Sequence, residues 1–469
     1  MEQTKKKKRF LMPDAFIIIF GIIVLSAIAT YLVPSGSFER TEIDGRQVVI
    51  DGTYATTEAN PSSIMDIFIA IHRGMVDSAD LIFMVFIVGG VVAIFEHTGA
   101  INTGINAMIQ KANGRKYPLV ITFIVLFACM DMAGLSGNAV IAFIPIGIIL
   151  AKALKLDPIV GVAMVYLGQY VGVATGTFDP VITGLAQKIA ELPLLSGASL
   201  RFAAFISLLI VTIIYICLYV RKISKDPSKS LMGITPFGDD ADGIDEKAED
   251  YGPFTGRHKL VLLTFAVFIG IFLYGVFNFE WGLGELSAIF LMMGVVAAFI
   301  GGIKANDFIQ VFIKGAQSIV YGALVIGLAR AAVILLENGN VLDTIVNSTF
   351  APLSSFPTIV GAEAIFLFNL LFNLLVTSGS GQAAIVMPFI VPLVDMLDIT
   401  RQTGVLAFKL GDGITNIITP TSGVLMAVLA VGKIPYLKWV KFIFPVVILW
   451  SIVAVILIAI AVLIDYGPF

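Results

Sequence analysis

The sequence predicts an all-α polytopic membrane protein of two inverted-topology repeats, each holding a re-entrant hairpin and a discontinuous helix. Three observations carry that prediction. The 469 residues are 58% hydrophobic and 13% charged, whereas soluble domains carry about 25% charged residues, so water-facing domains of this size would go uncovered. The apolar runs are helix-length and separated by short charged punctuation, a pattern of spanning helices and not of barrel strands. The second half also repeats the first: placing Asp66 on Asp307, an offset of 241 residues, sets Arg73 on Lys314, Gly74 on Gly315, Glu96 on Glu337 and Ile101 on Leu342 without a gap. A soluble enzyme, a secreted disulfide scaffold and a nucleic-acid-binding protein are excluded as leading ideas. Cys129 and Cys217 lie in apolar runs and read as buried small hydrophobes, not as a disulfide.

Residues 1–33 comprise a basic cluster, Lys5 to Arg9, and an apolar stretch from Ala15 to Val33. Its charge pattern is that of a signal sequence, with Ala27 and Ala29 as small residues. Its length is enough to cross a bilayer and many apolar segments follow, so it reads as an uncleaved first helix with a cytoplasmic N-terminus. The loop 34–61 carries Glu39, Glu42, Asp44, Asp51 and Glu58 against Arg40 and Arg46, and fits the outside. The first repeat occupies 62–220. After a span at 80–96, Lys111, Arg115 and Lys116 mark a cytoplasmic turn.

The hairpin, about 117–156, has two apolar legs meeting at Asp131-Met-Ala-Gly-Leu-Ser-Gly-Asn138, with Lys152 and Lys155 at its far end. Both ends then read as cytoplasmic, and a polar tip at depth is tolerated only inside protein or against a water-filled cavity. Two ordinary spans with a short outer turn fit the charges of this segment equally well. The broken helix, about 157–192, is interrupted at 173–180, where Gly176 and Pro180 disturb the ladder and Thr175, Thr177 and Asp179 supply oxygens. A span at 198–220 returns to Arg221, Lys222 and Lys225, and 221–258 is a cytoplasmic linker whose acidic run reads as a solvated loop.

Residues 259–300 add a linking helix and a counterpart of the first helix, and the extra crossing inverts everything after it. In the second repeat, 301–469, a hairpin at about 358–397 enters from outside, a broken helix at about 401–432 runs inward, and the last span leaves the C-terminus outside. Ser136-Gly137-Asn138-Ala139 pairs with Ser380-Gly381-Gln382-Ala383, and Leu167-Gly168-Gln169 with Leu410-Gly411-Asp412. Inverted repeats with a broken helix in each half mark secondary transporters, with substrate near the midplane.

The paired hairpin tips, together with Asn416-Ile-Ile-Thr-Pro-Thr-Ser422, resemble the ion transporter superfamily. Within it the chain resembles the C4-dicarboxylate anaerobic carrier (DcuC) family, in the YfcC-like branch labelled as basic amino acid antiporters. The resemblance covers nearly the whole chain. It implies a scaffold region that makes a homodimer and a moving transport region of two re-entrant hairpins and two interrupted helices. In the sodium-coupled dicarboxylate branch a Ser-Asn-Thr at each tip helps bind ion and carboxylate; here Ser136-Gly137-Asn138 and Ser380-Gly381-Gln382 stand in its place, without the Thr.

The candidate substrate- and ion-binding residues are Ser136, Gly137, Asn138, Thr175, Thr177, Asp179, Ser378, Ser380, Gly381, Gln382, Asp412, Asn416, Thr419, Pro420, Thr421 and Ser422. Helix breaks leave amides and carbonyls unpaired, so half-helix N-termini favour a carboxylate and exposed carbonyls a cation. Buried charges are functional candidates because each costs roughly 2.5–3.5 kcal/mol on insertion scales. Asp131, Asp179 and Asp412 lie at the tips or breaks, and mid-span Arg330 is a candidate charge partner, either structural or as a counter-ion. Three acids against one base favour an amino acid, arginine- or ornithine-like, exchanged by alternating access. An ion-coupled C4-dicarboxylate carrier is the alternative, and a channel or intramembrane enzyme the reading from another class. His72, His97 and His258 show no metal spacing, and no nucleotide- or hydrolase-type motif is present, so no cofactor or metal is expected; coupling to sodium or protons is compatible with the pattern. The expected location is the bacterial inner membrane.

Overall fold

The computed structural model describes residues 15–43, 46–50, 52–101, 103–104, 116–132, 137–179, 181–234, 236–237, 254–279, 281–353 and 356–467. Among them the architecture is all-α apart from one small β element. Six helices are long and apolar enough to cross a membrane: Ala79–His97, Pro158–Thr175, Ala198–Lys225, Leu283–Gly301, Gly379–Met396 and Tyr436–Leu463.

The helix Ala15–Leu32 leads into the β element, which a purely helical reading does not anticipate. Gly36–Ser37 pairs with Ala55–Thr56, and Arg40–Ile43 with Arg46–Val49, both antiparallel. These ladders rest on the second half of the molecule. Val48 and Val49 are buried, the Phe38 ring lies 4.7 Å from that of Phe389, and Arg40 makes a two-oxygen hydrogen-bonded pair with Asp343 at 2.8 Å.

Helix boundaries coincide between the two halves. Ile64–Asp77 and Ala79–His97 in the first half correspond to Ala305–Gln317 and Val320–Asn338 in the second, their starts coinciding at the offset that superposes Asp66 on Asp307. Ile64–Asp77 begins where it does because Ser63 and Asp66 form a reciprocal capping box. Ala198–Lys225 and Tyr436–Leu463 each have 28 residues. Helices also end in the left-handed region at matching places: Lys155 (φ 53°) with Asp398 (φ 55°), and Glu191 (φ 56°) with Lys433 (φ 52°).

Glycines set the packing, as they do where helix backbones must approach closely in a membrane. A Cβ on Gly168 would lie 2.9 Å from the Ile124 carbonyl oxygen, and one on Gly411 would lie 2.9 Å from that of Phe366, so equivalent glycines seat the two broken helices on Lys116–Met132 and Thr358–Phe372, the first leg of the preceding helix pair in each half. The amphipathic helices exchange partners: Gly74 abuts the Gly327 carbonyl of the second half, and Gly315 abuts the Gly89 carbonyl of the first. Cys129, expected to be buried, is exposed; it falls on a face of Lys116–Met132 left open among the described residues.

Two interrupted helices form the centre. Pro158–Thr175 is 94% buried, and every residue of Arg401–Thr415 after its first is buried. They meet where Gly413 lies against the backbone of Ala174. Gly176, at φ 51°, ends the first helix in a conformation that glycine adopts without penalty, and the chain resumes as Ile182–Ile189. The second helix stops after Thr415, passes through Pro420, and resumes at Gly423–Val431 behind Ser422, whose Oγ accepts the Leu425 amide at 3.3 Å. Beside it, Thr358–Phe372 and Gly379–Met396 form the second helix–break–helix unit.

Candidate functional site

The two breaks and the second hairpin converge on three buried charges. Lys409 and Asp412 share one face of Arg401–Thr415 through their i, i+3 spacing. The Lys409 Nζ lies 3.3 Å from Asp412 Oδ2 and 3.6 Å from Asp179 Oδ2. Lys409 is fully buried, with Asp412 at 1% and Asp179 at 6% exposure. The cluster thus ties one broken helix to the other.

The two aspartates are held differently. Asp179 Oδ1 accepts from the amides of Val181 (2.9 Å) and Ile182 (3.1 Å), and Oδ2 from that of Thr183 (3.2 Å). Its carboxylate therefore occupies the positive end of the half-helix Ile182–Ile189, where unpaired amides point. That half-helix N-terminus, expected to be open to a substrate anion, is filled by the chain itself. Among the described residues Asp412 has no such amides; its Oδ1 receives only the Asn416 Nδ2 at 3.5 Å, so it depends on Lys409. Gly379 covers it, and a Cβ there would lie 2.8 Å from Asp412 Oδ2.

Amides of neighbouring elements meet the backbone of Asp412. Asn373 and Asn416 both donate to its carbonyl oxygen, at 2.8 and 3.1 Å, and Gln382 donates to Asn369 Oδ1 at 2.9 Å. The amide oxygens of Asn373, Gln382 and Asn416 are buried and have no partner among the described residues. Buried acceptors without donors are costly, and acceptors of this kind suit a cation or an ammonium group. Thr415 and Thr421 donate to the carbonyls of Leu370 and Leu374 (2.7 and 2.8 Å), and Thr419 and Thr421 share a hydrogen bond of 2.8 Å. These contacts fasten the second break to the second hairpin.

Other expected residues are more local. Thr175 donates to Val171 on its own helix (3.0 Å), and Thr177 to the Arg201 carbonyl (3.3 Å). Ser378 caps Gly379–Met396, its Oγ accepting the Gly381 amide at 3.3 Å. Ser380 and Gly381 line a cavity of about 510 Å³ together with Arg40, Gln47, Glu337 and Asp343. A cavity of about 560 Å³ among Phe95, Ile146, Phe265 and Phe290 is apolar and apart from the breaks. Asp131 is buried at the end of Lys116–Met132, and Tyr170 lies within electrostatic reach of both it and Asp412. Ser136 and Pro180 lie outside the described residues, as do the side chains of Gly137 and Asn138, whose backbone opens the turn Gly137–Phe143.

Arg330 is not the partner of these aspartates. It sits 3.4 Å from Asp77 and 3.2 Å from Glu337, about one third exposed. Glu337 stands two turns along on the same face, and Asp77 ends the helix packed alongside, so its charge is satisfied before it could reach the breaks. The bases of the site are Lys409 and Arg201. Neither stood out among the candidates, although Lys409, three residues before Asp412 in an apolar run, carried the signal of an intramembrane i, i+3 ion pair.

Apolar spans around two buried, interrupted helices whose breaks gather charge define a membrane transport protein. The chain belongs to the C4-dicarboxylate anaerobic carrier (DcuC) family, whose match runs over residues 12–463. It is similar to the Escherichia coli (strain K12) protein named "Putative basic amino acid antiporter YfcC", at 30% identity over 94% of each chain. An uncharacterized protein of Haemophilus influenzae is 28% identical over 95% of this chain and 96% of its own. Among solved structures, Neisseria gonorrhoeae MtrF, described within a class of antimetabolite efflux pumps, aligns at TM-score 0.42 and 16% identity over 97% of this chain and 96% of its own. The Alcanivorax borkumensis YdaH transporter aligns at 0.40 and 14%, over 97% and 100%. The protein is thus a transporter of the DcuC family, a membrane protein acting on a small molecule.

Proposed function

We propose that the protein is a secondary active exchanger of amino acids, arginine- and ornithine-like ones first, working by alternating access. The observation that carries this is the buried Asp179–Lys409–Asp412 cluster. Lys409 is a tethered ammonium lying between two carboxylates, and Asn416, which touches Asp412, adds an amide oxygen unpaired among the described residues. A substrate ammonium or guanidinium has the same charge and donor chemistry, so it can take over part of that receptor while Lys409 swings aside. The name of the E. coli relative agrees with this reading.

An exchanger of this kind needs two oppositely oriented halves. The left-handed helix ends support that arrangement: Lys155 corresponds to Asp398 and Glu191 to Lys433, so the charge sign reverses between halves. Basic residues favour the cytoplasmic face, and such a reversal agrees with equivalent ends on opposite sides. The N-terminus is then cytoplasmic and the C-terminus external, in a bacterial inner membrane, with a homodimer as the assembly. Sodium or proton coupling would use the same oxygens near Asp412.

A second reading, an ion-coupled C4-dicarboxylate carrier, draws support from the family description and from two buried bases, Lys409 and Arg201. Counterflow in proteoliposomes with arginine, ornithine and succinate, with and without a sodium gradient, separates the two. Asp412→Asn should lower arginine counterflow at least tenfold. Equal arginine uptake by Asp412→Asn and parent, or succinate exchange without arginine exchange, refutes the amino acid reading.

A further inference from the structure

We propose that Arg201 receives the substrate carboxylate, completing a site whose ammonium end is Asp412 and its neighbours. The inference rests on the exchange reading for the identity of the substrate, but it stands on separate geometry.

Arg201 lies one turn into Ala198–Lys225 and is fully buried. Its Nη2 donates to the Thr177 carbonyl in the first break at 3.3 Å, so the guanidinium reaches the interruption itself. Its Nε and Nη1 have no partner among the described residues. Asp179 lies within electrostatic reach yet pairs with Lys409 and with three backbone amides of its own half-helix. Arg201 is therefore a buried guanidinium that shares no salt bridge with a carboxylate among the described residues.

A buried guanidinium with two N–H groups unpaired among the described residues is expensive, and a guanidinium matches a carboxylate in charge and in forked geometry. The half-helix N-terminus that would otherwise take an anion is filled by Asp179. Arg201, with two N–H groups unpaired among the described residues, is a donor beside the same break. Thr177, which Arg201 touches, is two residues from Asp179, a separation of at most about 7 Å along the chain. Arg201 touches Thr177 and Lys409 lies against Asp179, so the proposed carboxylate and ammonium subsites adjoin one short segment of the first break.

The test uses the full-length protein in proteoliposomes and compares arginine with agmatine, which keeps the guanidinium and lacks the carboxylate. The parent should exchange arginine at least tenfold better than agmatine. Arg201→Gln should lower kcat/KM for arginine at least tenfold and leave agmatine unchanged, erasing the preference. Arg201→Lys keeps the charge without the fork and should raise the arginine KM with agmatine again unchanged; it serves as the test if Arg201→Gln fails to elute as a folded protein. Equal losses for both solutes, or no change for either, overturn the proposal. If the parent exchanges succinate and no amino acid, the amino acid reading falls and Arg201 is judged on succinate. A raised succinate KM in Arg201→Lys then upholds the carboxylate role, and an unchanged KM overturns it.

Discussion

Replacing Lys409 with Met removes the cation from the cluster while keeping an unbranched chain of similar length. The consequence should fall unequally on the two aspartates. Asp179 keeps its three backbone amides, whereas Asp412 keeps only the long contact with Asn416. Removing one partner of a buried ion pair costs about 3–5 kcal/mol. Neutralisation by a proton sets a ceiling: at pH 7, protonating a carboxylate of ordinary pKa near 3.9 costs about 4 kcal/mol, and at pH 5 about 1.5 kcal/mol. Lys409→Met should therefore lower stability by about 3–4 kcal/mol at pH 7 and by less than half of that at pH 5. Adding Asp412→Asn should restore most of the loss. Adding Asp179→Asn instead should not, because it weakens the cap on Ile182–Ile189, a loss of about 0.5–2 kcal/mol by itself. The assay is the thermal midpoint in detergent, followed by fluorescence-detected size exclusion at both pH values. Parental stability of Lys409→Met, or equal rescue by the two second substitutions, would refute the unequal dependence on which the reasoning stands.

Two further substitutions probe the surrounding structure. Gly413→Ala drives a Cβ into the Ala174 backbone, overpacking the central crossing by about 1–3 kcal/mol; its thermal midpoint should fall, while Gly270→Ala, which meets nothing within 4 Å, should keep the parental value. Arg330→Met loses only half-exposed pairs with Asp77 and Glu337, each worth about 0–1 kcal/mol, so arginine counterflow should stay within about twofold of the parent; a tenfold loss would put Arg330 back in the site.

The helical plan was legible because glycine and proline inside apolar runs leave few alternatives. Gly176, and Pro420 with Ser422, mark interruptions that composition alone makes costly inside a membrane, and the coincidences of Asp66 with Asp307 and Gly74 with Gly315 expose the repeat. Pairing of charges was less legible. Arg330 and Asp77 are far apart in the chain and meet only because Ile64–Asp77 packs on Val320–Asn338, a contact that no local pattern announces. Asp179 is a candidate binding residue by its place at a break, and nothing in the sequence announces that its hydrogen bonds close its own half-helix. Arg201 sits near the start of an otherwise ordinary span, and only its burial beside Thr177 distinguishes it from an interfacial residue. The short strands at Arg40–Ile43 and Arg46–Val49 depend on the surface beneath them for their stability.

The exchange of glycine contacts between the halves also bears on the order in which the chain is assembled. Ile64–Asp77 emerges early in synthesis, but Val320–Asn338, on which it is seated, emerges more than half a chain later. Contacts of such long sequence separation form late because loop-closure entropy precedes their reward. In the interval the early helix has one natural refuge, the membrane surface, where Ile64, Met65, Phe68 and Ile69, still exposed in the finished fold, can lie among lipid headgroups. Each half is therefore an unfinished object until the other is made, and biogenesis of this carrier becomes a matter of waiting as much as of insertion.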